Sequence, residues 1–205
     1  MYKRLAVSLT NTFLSKKIIT CDKRDICEYG FEMLISNFVY MIIFIVTAII
    51  TNTFIESLLF WLGLFIIRKI AGGHHANSYI SCHILFALNH VFFIIAAKML
   101  PKDLINFSIC LLLSFSIVLV AFCAPVDHKN KPFIKSEYKR YKKLSRIYCV
   151  VLFTILISFI IIQTTNKTTA ICDELYFSFS FGTASATISL LSAKIIRYKE
   201  RGTIK

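Results

Sequence analysis

The chain has 205 residues, of which 57% are hydrophobic and only 17% charged, with 24 Lys and Arg against 11 Asp and Glu. Soluble domains carry about 25% charged residues, and a mean hydropathy of +0.68 places this chain outside that class. The net charge of +13 does not point to nucleic acid, because the basic residues stand between apolar runs instead of lining one face, and no nucleic-acid partner is expected.

Residues 1–33 are polar and basic, and without an early apolar stretch they do not read as a cleavable signal peptide. Within them Leu5, Leu9 and Phe13 recur every fourth residue, with Val7 and Leu14 nearby and Lys3, Arg4, Lys16 and Lys17 on either side. That pattern predicts an amphipathic helix lying on an anionic leaflet. Apolar runs then follow at residues 34–50, 54–70, 79–100, 104–124, 144–162 and 170–196, each near the ~20 residues a helix needs to cross a bilayer. The run at 54–70 is the least regular, with Glu56 near its start and Arg68 near its end. The expected fold is therefore all-α: a polytopic integral membrane helical bundle of about six transmembrane helices behind an N-terminal amphipathic helix. It forms one domain over residues 1–205, with an interfacial segment at 1–33, the bundle at 34–196 and a tail at 197–205.

The charges orient that bundle. Twenty-one of the 24 Lys and Arg fall in the N-terminal segment, between the second and third runs, between the fourth and fifth, or at the C-terminus, leaving Lys98, Lys102 and Lys167 for the other side. Cytoplasmic loops collect Lys and Arg, so both termini are expected in the cytoplasm of a multi-pass cell-membrane protein. Seven scattered cysteines include no C-x-x-C pair, and several lie inside apolar runs, where a free Cys behaves as a small hydrophobe. No disulfide framework is expected.

Between the second and third runs stands Arg68-Lys69-Ile70-Ala71-Gly72-Gly73-His74-His75-Ala76-Asn77-Ser78-Tyr79-Ile80-Ser81-Cys82. A thiol and an imidazole are the minimum kit for nucleophilic cysteine catalysis, provided they approach hydrogen-bond contact. On one straight helix His75 and Cys82 would lie about 10 Å apart along the axis. Gly72 and Gly73 break the preceding helix, and Asn77 or Ser78 can cap the next, so His75 can fold back over the start of the third run. Cys82 then lies about one turn inside a helix N-terminus, where the dipole favours a thiolate. Asn77 and Ser78 are also local candidates for orienting the imidazole. His74, His75, Cys82 and His83 are possible zinc ligands, but their spacing matches no standard zinc pattern, and neither a metal nor another cofactor is expected. His83, His90 and His128 read as structural, and no nucleotide-binding glycine pattern occurs.

Arg68, Gly72, Gly73, His75, Ala76 and Cys82 resemble, in register, the motif R-x-x-x-G-G-x-H-A-x-x-x-x-x-x-C of the accessory gene regulator B (AgrB) family of Gram-positive quorum sensing. The stretch Ala124-Pro125-Val126-Asp127-His128-Lys129-Asn130-Lys131-Pro132 resembles the family's Ala-Pro segment ahead of a basic loop. The resemblance covers most of the chain. It implies a membrane cysteine endopeptidase that cleaves an AgrD-like propeptide and promotes its cyclisation to a thiolactone or lactone, with Cys82 as nucleophile and His75 as base. By the same analogy homodimers are expected. Arg68 is then expected to hold the helix end, an oxyanion or a substrate carboxylate, with Gly72 and Gly73 supplying the sharp turn. A basic loop spanning 129–146, with Lys139, Arg140, Lys142 and Lys143, is expected to attract an acidic propeptide tail or to serve topology alone. The competing reading is a non-enzymatic membrane adaptor or export component in which Cys82 and His75 are incidental.

Overall fold

The computed structural model describes residues 2–72, 79–127, 133–165 and 170–202. The regular elements are α1 (Tyr2–Ser15), a single 3-10 turn at Cys21–Lys23, α2 (Arg24–Ile50), α3 (Phe54–Ile70), α4 (Tyr79–Met99), α5 (Lys102–Cys123), α6 (Lys135–Thr164) and α7 (Ala170–Gly202). No strand occurs among the described residues. Every expected apolar run is helical. Four helices are long and apolar enough to cross a membrane, namely those containing α2, α5, α6 and most of α7, while the apolar part of α4 (His83–Met99) is shorter. At 17 residues, α3 lies at the short end of what spans, roughly 17–25 residues.

The outer surface explains why such a chain needs lipid. Phe38 on α2, Leu88 on α4, Phe107 and Phe122 on α5, and Val150 and Phe153 on α6 are all exposed. Large apolar side chains around most of a bundle's circumference mark hydrocarbon as the solvent. This is an all-α membrane helical bundle.

Inside, α7 is the hub, packing on α3 and α5, while α6 packs on α5 and α1 on α2. The α3–α7 contact depends on two small residues. A Cβ at Gly63 would stand 2.6 Å from the Phe179 carbonyl oxygen, and one at Gly182 would overlap the Phe60 carbonyl. Without lipid-phase hydrophobic attraction between helices, such close backbone approach is a main source of association. Beside it Phe60 and Phe93 stack with ring centroids 4.8 Å apart, and Phe181 lies 5.7 Å from Phe93, an offset geometry that aromatic pairs favour.

α2 joins the bundle through α4's histidines. His83 hydrogen-bonds Ser36 Oγ and stacks on Tyr40. The buried His90 shares hydrogen bonds with Ser57 Oγ at 2.8 Å and Thr47 Oγ1 at 3.2 Å, among the rings of Phe44, Phe60 and Phe93. A buried imidazole is tolerated when both nitrogens have partners, and His90 has two, which fits a packing role. His128 lies outside the described residues.

Three boundaries differ from the hydropathy reading. α2 starts at Arg24, α6 at Lys135 and α7 ends at Gly202, because helix propensity continues into charged sequence where hydropathy stops. The expected basic loop at 129–146 is therefore helical from Lys135 onward. Glu137 Oε2 accepts the Ile134 N–H at 3.3 Å, supplying one of the partners a helix start needs. At the N-terminus α1 forms as expected, but the face it buries against α2 carries Ala6 and Thr10, with Phe13 edge-on to Phe31 at 5.0 Å. Leu5 and Leu9 point outward, free to enter a leaflet.

Candidate active site

The sequence motif begins at the end of α3 and resumes at the start of α4. Arg68 occupies the last turn of α3 and lays its guanidinium carbon 4.5 Å from the centre of the Phe86 ring on α4. That cation–π contact ties the two motif-bearing helices together one turn beyond residue 82. Ala71 closes α3, its N–H bonding the Ile67 carbonyl at 2.7 Å. Gly72 then takes φ +86°, a left-handed conformation that side chains disfavour. The expected helix break is in place.

This turn does not stand alone. The Val126 N–H donates to the Ala71 carbonyl at 2.9 Å, and a Cβ on Gly72 would run into the Val126 carbonyl oxygen. The two separate sequence patches thus meet backbone to backbone, across 54 positions of chain. Only a residue without a side chain permits the approach. The Ala124–Pro125 peptide within the second patch is cis.

α7 holds that patch from the other side. Arg197 Nε donates to Asp127 Oδ1 at 3.3 Å and a terminal nitrogen to Oδ2 at 3.4 Å, a two-point guanidinium–carboxylate pairing. One turn earlier Lys194 Nζ donates to the Phe122 carbonyl at 2.6 Å, satisfying a C-terminal carbonyl of α5 with a cation. The sequence reading missed the Asp127–Arg197 pair. Its signal was present: Asp127 is the lone acid in a stretch that otherwise holds only basic charges, from Ala124 to Lys135.

Gly73, His75, Asn77 and Ser78 lie outside the described residues, as does His74. Cys82 is the fourth residue of α4 by its backbone, in the first turn, where the sequence placed it. The pairing of Cys82 with His75 therefore stands as an expectation from the motif. Lys139, Arg140, Lys142 and Lys143 are exposed within the first three turns of α6. Lys139 lines a 610 Å³ cavity with Lys135, Lys194, Arg197, Tyr138 and Tyr198, directly beside the Ala-Pro patch. Lys142 Nζ sits 5.9 Å over the Tyr138 ring.

A second cavity, of 420 Å³, opens between α3, α4 and α7. Arg68, Phe86 and Asn89 line it together with Ser185, Ser189 and Ser192. Ser185 Oγ donates to Asn89 Oδ1 at 3.1 Å, closing its inner end. Along α4 the register 82, 85/86, 89 follows one helix face, so the cavity starts one turn from the position of Cys82.

The family model for accessory gene regulator B matches residues 3–192. An accessory gene regulator protein B from Staphylococcus epidermidis is 34% identical over 140 residues, covering 67% of this chain and 69% of the relative. A putative AgrB-like protein 2 from Clostridium perfringens is 30% identical over 177 residues, covering 82% of this chain and 81% of the relative. The accessory gene regulator protein B of Staphylococcus aureus strain Newman is 30% identical over 127 residues, 62% of this chain and 66% of the relative. No solved structure matches the chain. With a model match over nearly its whole length, and both motif patches joined in one site, the chain belongs to the accessory gene regulator B family.

Proposed function

We propose that this protein is a membrane cysteine endopeptidase that matures an AgrD-like quorum-sensing propeptide. The observation that carries the reading is the junction at Gly72, where the Cys82-bearing motif and the Ala-Pro patch are locked together by the Val126 N–H···O=C Ala71 bond. Family membership supports a part in accessory gene regulator peptide processing. The junction anchors the end of α3, from which the chain runs on toward the Cys82-bearing helix, and so supports a built site over an incidental loop.

Cys82 is the nucleophile and His75 its base. The imidazole takes the thiol proton, and the thiolate is favoured by the N-terminal end of α4. The sulfur attacks the carbonyl carbon at the end of the signal sequence. The C–N bond breaks, the imidazolium returns its proton to the departing amine, and the charged C-terminal tail leaves. The signal segment remains on Cys82 as a thioester. A thiol within that segment then attacks the same carbonyl, its proton passing through His75 to the Cys82 sulfur. The product is a thiolactone, or a lactone if the internal nucleophile is a hydroxyl. With a thiol as the internal nucleophile one thioester replaces another, so that exchange is nearly isoenergetic.

The remaining residues take supporting roles. Gly72 and Gly73 make the turn, Asn77 or Ser78 caps α4 or orients the imidazole, and Arg68 supplies positive charge beside the reacting carbonyl. The exposed Lys139, Arg140, Lys142 and Lys143 attract the acidic tail. Reversing these four charges should slow cleavage without blocking insertion; unchanged cleavage would remove them from substrate binding. Both termini and the site face the cytoplasm of a multi-pass cell-membrane protein, as the Lys and Arg distribution supports. Alkylation tests the nucleophile directly: one cysteine, Cys82, should react far faster than the others near neutral pH, whereas an adaptor would show no such site.

A further inference from the structure

The cavity beside the Ala-Pro patch collects positive charge against an apolar wall. Its 610 Å³ lie between the end of α5, the start of α6 and the C-terminal part of α7. Four cations, Lys135, Lys139, Lys194 and Arg197, line it with one carboxylate, Asp127. Arg197 and Asp127 answer each other. Lys194 uses one N–H on the Phe122 carbonyl, and an ammonium has three. Lys135 and Lys139 are exposed and have no acidic partner among the described residues. Three ammonium groups therefore border one cavity without a carboxylate among the described residues to neutralise them.

One wall of the cavity reaches the lipid-facing surface. Phe122 stands there 77% exposed, and Leu111, Phe115 and Val118 continue from it as exposed residues of α5. Positions 111, 115, 118 and 122 share one helix face. They cover about 16 Å along the axis, close to the ~15 Å of hydrocarbon in one leaflet. Tyr138 and Tyr198 are exposed at the cavity, and such amphipathic rings favour the boundary between hydrocarbon and headgroups. A soluble anion would meet the lysines and leave the apolar column unused, and so would an acidic peptide. A phospholipid fits both halves, with a phosphodiester for the ammonium groups and an acyl chain for the column.

We infer that this cavity binds an anionic phospholipid, with the phosphodiester on Lys135, Lys139 and Lys194 and an acyl chain along Leu111, Phe115, Val118 and Phe122 of α5. Basic pockets between transmembrane helices suit such headgroups. Arg140, Lys142 and Lys143 do not line the cavity and remain for the propeptide tail. The bound lipid bridges α5, α6 and α7 directly beside the Ala-Pro patch. No reacting group takes part, so the site stands whether or not Cys82 is a nucleophile.

The test measures lipid retention by the full chain, purified in detergent and stripped of lipid, by native mass spectrometry. The probes are dioleoyl phosphatidylglycerol and dioleoyl phosphatidylcholine, which share acyl chains and differ in net charge. Phosphatidylglycerol should be retained at least about fivefold better. Lys135→Gln/Lys139→Gln/Lys194→Gln should abolish that preference and leave phosphatidylcholine retention unchanged, while Arg140→Gln/Lys142→Gln/Lys143→Gln should keep it. Equal retention of the two lipids by the wild type, or a preference untouched by the first triple variant, would overturn the inference. Glycerol 3-phosphate in large excess should leave phosphatidylglycerol bound; displacement would mean a small-anion site and would also overturn it. So would a peptide of Asp and Glu that takes the place of phosphatidylglycerol on the same three lysines. The chain position needs no variant. Phosphatidylglycerol with a diazirine on one acyl chain, photolysed with the wild type in phosphatidylcholine vesicles, should label α5 between Leu111 and Phe122. Excess phosphatidylglycerol should suppress that label, and labelling that extra phosphatidylcholine suppresses equally well would sink the site.

Discussion

Gly72→Ala is the most informative single perturbation of the turn. At φ +86° an alanine meets a left-handed backbone cost of about 1–2 kcal/mol. Its Cβ also enters the space of the Val126 carbonyl oxygen, which is backbone and cannot rotate away. The Ala-Pro patch has to withdraw, and the Val126 N–H···O=C Ala71 bond at 2.9 Å goes with it, for a further ~0.5–1.5 kcal/mol. Together these come to about 1.5–3.5 kcal/mol, which shifts the balance between the native turn and its alternatives by about 10- to 300-fold. Propeptide cleavage per membrane-inserted molecule should fall by a comparable factor, measured by mass spectrometry of co-expressed propeptide and immunoblotting of the membrane fraction. Gly30→Ala is the control, since nothing lies within 4 Å of its added Cβ, and it should cleave as wild type. Wild-type cleavage in Gly72→Ala would refute the claim that this junction holds the site.

Three other perturbations separate packing from chemistry. Gly182→Ala drives a methyl into the Phe60 carbonyl, so α3 and α7 must part; unfolding in detergent should show a loss of about 1–3 kcal/mol, where Gly30→Ala shows little. Arg197→Asp places two carboxylates where the Asp127 pair now sits and should reduce cleavage, and adding Asp127→Arg should restore much of it; a swap that fails while both chains insert normally would deny the pair a positioning role. His90→Leu loses the hydrogen bonds to Ser57 and Thr47 and should destabilise the bundle by about 1–3 kcal/mol, with cleavage per folded molecule unchanged, as detergent melting and normalised turnover would report.

The helices were legible because their cause is local. Apolar runs long enough to matter have to satisfy their own backbone in lipid, which leaves the helix as the only open-ended solution. The ends were less legible. Hydropathy marks where a helix leaves hydrocarbon, not where its hydrogen bonds stop, so the lysines of α6 looked like a loop until Glu137 capped their helix at Ile134. The motif itself could be read from Gly72, His75 and Cys82, because a turn, and the base and nucleophile proposed beside it, demand particular residue types. What holds it could not. The Ala71–Val126 bond joins backbone atoms of distant segments, and backbone pairing leaves no mark in side-chain identity beyond a glycine. The cavity between α3, α4 and α7 was hidden for a related reason: Asn89 and Ser185 are 96 positions apart, and serines at helical spacing in α7 resemble ordinary small packing residues.

The central claim is that Cys82 forms an acyl-enzyme with the aid of His75. The direct measurement is co-expression of the propeptide with wild type, Cys82→Ala and His75→Ala, followed by mass spectrometry of the propeptide and of the membrane protein. The account predicts a shortened propeptide and a thioester adduct on Cys82 in the wild type, with cleavage lost in both variants and membrane abundance unchanged. Cleavage retained in both variants would contradict it and leave the motif as a structural junction.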